Sequence, residues 1–217
     1  MQPILVDNGK SPDDLYNYRL GFWLPADSPY GNLQLKQVKL CKRIDEANRR
    51  IRESWAYWES SRVEDGLLIN AYDRHVYANE QAVYLLRRAS DEIIALIWCL
   101  SEWELKKSYP TIIKIDCIGA LLSQRTEERP IPLNLHIELL TAINAIANAF
   151  KHSFVQSDIT LIGRDEPCVH ALSLDYNKLA SGMKFHNFSL GWVANAFTAF
   201  YKDAIDWLRK FSERHRA

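Results

Sequence analysis

Between Gly31 and Pro110 the chain meets one glycine, Gly66, and no proline. Glycine and proline are the strongest interrupters of regular structure, so this span has room for two long helices and little else. The apolar spacing agrees. Leu33, Leu40, Ile44, Ala47, Ile51, Trp55 and Trp58 recur at steps of three, four and seven, which puts them on one face of a helix over residues 32–61. Past Gly66, Val83, Leu86, Ile93, Ile94, Ile97 and Leu100 define a second helix over residues 71–106. Pro110 closes that span, because the residue before a proline is excluded from helical geometry.

The flanks read differently. Residues 1–31 contain four prolines and three glycines together with Tyr16, Tyr18, Phe22 and Trp23. The expectation is an irregular arm whose aromatic residues pack on the body. Residues 111–123 read as a short helix, and a further helix is expected from Pro132 to His152. The period then changes. "DITLIG", "CVHALSLDY" and "MKFHNFSL" are short, β-branched or aromatic and partly alternating. They predict an antiparallel hairpin or three-stranded flap over residues 158–190. A final amphipathic helix with Trp192, Ala196, Phe200, Ile205, Trp207 and Phe211 facing inward closes the chain. The expected fold is mainly α: a bundle of about five helices with a small β excursion before the last, forming one domain over residues 32–217.

Composition narrows the function classes. At 217 residues with 47% hydrophobic and 25% charged residues, the chain has the profile of a globular protein that can bury a core. Twenty-seven basic residues balance 27 acidic ones, so no global field draws it to nucleic acid or anionic lipid. Cys41, Cys99, Cys117 and Cys168 form no CxxC or Cys/His cluster, which predicts free thiols in a reducing compartment and no structural zinc. No basic segment followed by an apolar run opens the chain. "EIIALIWCLSEW" is too short to span a bilayer. These features predict a cytoplasmic protein without a membrane partner or cofactor.

The candidate site lies in "INAIANAFKHSFV", residues 143–155. At 100° per residue, Thr141, Asn144, Asn148 and His152 share one narrow sector of the helix, beside an apolar sector of Leu140, Ile143, Ala147 and Phe150. Asparagine competes with the backbone for hydrogen bonds and is a mediocre helix former, so propensity does not explain two of them here. A row of amides ending in an imidazole suits a polar ligand, a phosphate or a partner helix. His152 is the residue fitted for proton transfer near neutral pH. Lys151 adds a cation at the helix C-terminus, a place that the helix dipole favours with or without a function.

A helix ending in Asn-x-x-x-His inside an all-helical chain resembles the HEPN superfamily, over roughly residues 71–155. The resemblance implies a helical bundle, often dimeric, of the kind found in ribonuclease toxins, phage-defence systems and RNA-processing factors. Active members carry arginine, a polar residue, about three variable residues and histidine, and the arginine and histidine of two protomers cleave RNA. Asn148 and His152 match the polar residue and the histidine. Ala147 stands where those members carry arginine, so the resemblance implies binding more than catalysis.

Other groupings complete the inventory. Glu80, Tyr84, Arg87 and Asp91 fall on one line of the second helix, and Arg87 faces the Asn148–His152 stripe if the two helices pack antiparallel. Equally, Arg87 and Arg88 have acidic partners, Asp91 and Glu92, at i,i+4 spacing. Residues 36–53 hold seven basic side chains against three acidic ones. Among them Lys39, Arg43 and Arg50 share a sector that suits a phosphate backbone or an ordinary solvated face. His136 and Glu138 are spaced to different sides of a helix and make no metal motif. Ser153 beside His152 lacks any nucleophile motif, and His170 and His186 sit on the predicted strands. Three readings remain open. The chain is an intracellular binding or regulatory module for RNA or a nucleotide, linked by the resemblance to defence or toxin–antitoxin biology. Or it is a metal-independent ribonuclease using His152 with Asn148, Asn144 and a cation such as Lys151 or Arg87. Or it is a dimerising scaffold.

Overall fold

The computed structural model describes residues 2–9, 21–63, 69–154, 165–174, 177–178, 180 and 182–216. Six α-helices and one hairpin run through them: α1 (Leu33–Val63), α2 (Ile69–Lys106), α3 (Ile118–Leu122), α4 (Ile131–Asn134), α5 (Ile137–His152), β1 (Cys168–Leu174), β2 (Met183–Ser189) and α6 (Leu190–His215). The architecture is mainly α with an antiparallel hairpin directly before the last helix, as the sequence predicts. The third candidate strand, residues 158–163, and the arm residues Tyr16 and Tyr18 lie outside the described residues.

α1 and α2 form the long pair of the bundle. Ile44, Ala47 and Ile51 of α1 and Val83, Leu86, Ile94 and Ile97 of α2 are wholly buried in one core cluster. That cluster also takes in Ile143 and Ala147 of α5, Val169 and Ala171 of β1, and Phe197, Phe200 and Phe211 of α6. Val6, Phe22 and Leu24 bring the N-terminal arm into the same core. Asn48 fixes Val6 with a reciprocal amide–backbone pair, both bonds 2.8 Å.

Two expected helices are corrected. Residues 111–117 are not helical, and α3 starts only at Ile118. Its first free N–H is satisfied by Asp91 Oδ1 of α2 at 2.8 Å, and the extended Cys117 accepts from the Ala120 N–H. An acceptor reaching across from another helix therefore sets the start. The helix expected over residues 132–152 is interrupted at Leu135 and His136. His136 leaves helical geometry (φ −117°, ψ 24°), its Nε2 lies 2.8 Å from Asp203 Oδ2, and its ring packs edge-on against Phe200.

A buried polar network joins α1, α2 and β1. Ser54 Oγ donates to Asn79 Oδ1 at 2.7 Å, and Asn79 Nδ2 donates to the Cys168 carbonyl at 3.1 Å. His75 lies between them, its Nδ1 3.0 Å from the Ser54 carbonyl and its Nε2 3.2 Å from Asn79 Nδ2. These partners fit a neutral imidazole protonated at Nδ1. Among the described residues no helix is long and apolar enough to cross a membrane.

Candidate functional site

α5 and the hairpin meet in an open cleft of about 710 Å³. Asn148, His152 and Ser153 line it from the end of α5, with Ala145 and Ala149 as its apolar floor. Ser173, Lys184 and His186 line it from the strands, and Asn177 from the segment between them. Strand pairing explains the second wall. Ser173 is paired with Lys184 and Ala171 with His186, so all four project from one face of the hairpin. Ala171 and Val169 on that face are buried in the core, which holds the strands against α5.

Several groups in the cleft are fixed in place. Ser173 Oγ lies 3.1 Å from His186 Nε2, a diagonal cross-strand hydrogen bond. Asn177 takes a left-handed backbone conformation (φ 54°), open to asparagine at low cost. From there its Nδ2 donates to the His152 carbonyl and its Oδ1 accepts from the Phe154 N–H, both at 3.0 Å. The side chain thus satisfies a carbonyl that the end of α5 leaves without an intrahelical donor. Ser153 Oγ is buried without a hydrogen-bond partner among the described residues.

The stripe read from the sequence divides in two. Asn148 and His152 are exposed in the cleft, and Lys151 beside them is exposed. Asn144, one turn earlier, faces α2 instead and accepts from Arg87 Nη2 at 3.3 Å. Arg87 therefore does meet the stripe, but at Asn144, and it does not line the cleft. Its neighbours on α2 form a half-buried polar seam. Burial raises the Glu80 carboxyl above its usual range. It raises Asp91 as well, against the Ile118 N–H and the charge of Arg87. Ala147, the position that the resemblance assigns to arginine, is wholly buried.

The basic sector of α1 lies apart from the cleft. Arg43 bridges to Glu92 of α2 at 3.0 Å, and Arg50 is held between Glu46 and Glu53 on its own helix. Lys39 is exposed. Among the described residues no group of three His, Cys, Asp or Glu side chains is placed to hold a metal. Ser173, Lys184 and Asn177 are the cleft residues that sequence reading did not single out. The alternation of "HALS" and "KFH" carries the signal for Ser173 and Lys184, but only the register of the hairpin converts it into one shared face.

No family model, no curated protein and no solved structure matches this chain.

Proposed function

We propose that this chain is an HEPN-like binding module that takes RNA or a nucleotide through the cleft between α5 and the hairpin. The observation that carries this reading is the makeup of the wall. Among the described residues it combines two imidazoles, one ammonium group, and amide and hydroxyl side chains, and it includes no carboxylate. Such a donor set suits phosphate oxygens, and charge-assisted bonds from Lys184 and protonated histidine are the strong kind. A cleft of this size also lies within the range of small-ligand sites. Phe154, directly after Ser153, is 86% exposed and offers an aromatic face for a base to stack on. With a buried alanine at position 147, the cation comes from Lys184 on the hairpin. The link to defence or toxin–antitoxin biology rests on the HEPN resemblance alone.

Binding of a labelled single-stranded RNA should weaken steeply between 50 and 200 mM salt, and His152→Gln and Lys184→Gln should each weaken it further. Salt-insensitive or absent binding would sink the reading. A second reading, metal-independent cleavage, gains from one observation: His186 shares the cleft with His152, so an acid and a base are both at hand. Chelator-resistant RNA cleavage that is lost in His152→Gln would favour it over binding alone.

A further inference from the structure

Three asparagines stand at or near the end of α5, and the fold uses two of them. Asn144 accepts from Arg87 Nη2 of α2 at 3.3 Å. Asn177 is engaged at both ends of its amide, with the His152 carbonyl and the Phe154 N–H. Asn148 differs from both. It is exposed on the cleft, and its side chain makes no hydrogen bond, ion pair or ring contact among the described residues. Asparagine favours a helix less than alanine does, so an unengaged amide one turn before the end of α5 weakens the helix without serving it. The backbone beneath it is fixed: Ile146 and Ala147 are wholly buried and Ala149 is 1% exposed. Ala145 and Ala149 line the cleft beside Asn148 with methyl groups alone, which leaves room for a flat ring next to the amide. We propose that Asn148 reads the edge of an unpaired nucleobase, that of a free nucleotide or of single-stranded RNA. This rests on the cleft taking RNA or a nucleotide, and it states which part of that ligand the α5 wall recognises.

The chemistry of the amide selects a base. A primary amide presents one acceptor and one donor side by side. That pair matches a base edge, where a ring nitrogen or carbonyl stands next to an N–H group, as in the pairing of asparagine with N6 and N7 of adenine. A phosphate offers acceptors only, so it would engage the amide N–H groups and leave the carbonyl idle. The edge also has to be free. In an RNA duplex the Watson–Crick edges are paired and the major groove is too deep and narrow for side chains to read. Asn148 therefore suits a single strand or a mononucleotide.

Asn148→Asp isolates this role. The carboxylate has nearly the same shape but offers two acceptors and no donor. Guanine alone among the four bases presents two adjacent donors, N1–H and N2–H, on its Watson–Crick edge. Adenine, cytosine and uracil each place an acceptor beside their donor, which sets a lone pair against one carboxylate oxygen. The substitution should therefore move preference toward guanine. Its added negative charge weakens all four nucleotides alike and cancels in the ratio between them. Asn144→Asp puts the same charge one turn away on the same helix, beside Arg87, and is the control for charge alone.

The test is calorimetric titration of the full chain, at one salt concentration, with AMP, CMP, GMP and UMP. A short unstructured single-stranded RNA varied at one central base, and its duplex, form the second arm. Each is measured on the wild type and on Asn148→Asp, Asn148→Ala and Asn144→Asp. Asn148→Asp should raise affinity for the guanine ligand relative to the other three by about 10-fold, the scale of one bidentate pair. Asn148→Ala should narrow the wild type's spread among the bases, and Asn144→Asp should leave the ratios unchanged. The duplex should bind more weakly than the single strand. A shifted base preference with the nucleotides, with the RNA or with both supports the reading and tells the two sources apart. Alanine favours a helix more than asparagine does, so Asn148→Ala carries the test should Asn148→Asp fail to fold. Base ratios identical in the wild type and both Asn148 variants overturn base reading while leaving binding in the cleft intact. If neither the nucleotides nor the RNA bind the wild type, the proposed function of the cleft falls with it.

Discussion

Asn177 holds the last turn of α5 with both ends of its amide, and through it the hairpin fixes where His152 stands. The residue does two separable things: it tolerates the left-handed backbone (φ 54°) and it makes two hydrogen bonds. Asn177→Gly keeps the first and removes the second. It should lower stability by about 1 kcal/mol, since an intramolecular bond contributes about 0.5–1.5 kcal/mol and these two, both exposed, fall at the low end. Asn177→Ala loses the bonds and adds backbone strain, a further ~1 kcal/mol. Urea denaturation midpoints in the order wild type, Gly, Ala would agree. An alanine variant as stable as the wild type would mean that the clamp contributes nothing. Asn148 and His152 were readable from the sequence because a helix has one period and their spacing matches it. Asn177 was not, because its role depends on a backbone conformation and on a helix end 25 residues away.

At the scale of elements, His75 is the joint between α1, α2 and β1. Burial pushes its pKa below that of a free imidazole, against the hydrogen bond to Ser54 and helped by nearby His170. The unfolded chain takes up a proton at this residue below about pH 6.5, while the folded chain does not. Its contribution is therefore fully present above that pH and is lost as pH falls toward the depressed folded value. Denaturation midpoints should drop between pH 7.5 and 5.5 in the wild type, and the drop should shrink in His75→Asn whatever that variant's absolute stability. An unchanged drop would show that another group carries the pH dependence. The sequence hid this network because Ser54, His75 and Asn79 lie on faces that look merely helical. It also hid the late start of α3 and the kink before α5, which are set by Asp91 and Asp203 on other helices. The long helices needed no such partner. Apolar period and the absence of breakers were enough to read α1, α2 and α6, and alternation was enough for the hairpin.

At the scale of the whole molecule, formal charge is balanced, so affinity for an anion has to be local. Two localities compete. On α1, Arg43 and Arg50 are already engaged with Glu92, Glu46 and Glu53, which leaves exposed Lys39 as the more available cation of that trio. In the cleft, Lys184, His152 and His186 line one space together with hydroxyl and amide groups. The first locality is visible in the sequence as a run of basic residues. The second exists only once a kinked helix and a hairpin 16 residues further on are brought together. The measurement that separates them is an amide and imidazole NMR titration of the isotope-labelled chain with AMP and with 5′-phosphorylated single-stranded RNA. The account predicts the largest shifts at Asn148, His152, Ser173, Lys184 and His186, with α1 quiet. Shifts centred on Lys39, Arg43 and Arg50, with the cleft resonances unmoved, would contradict it.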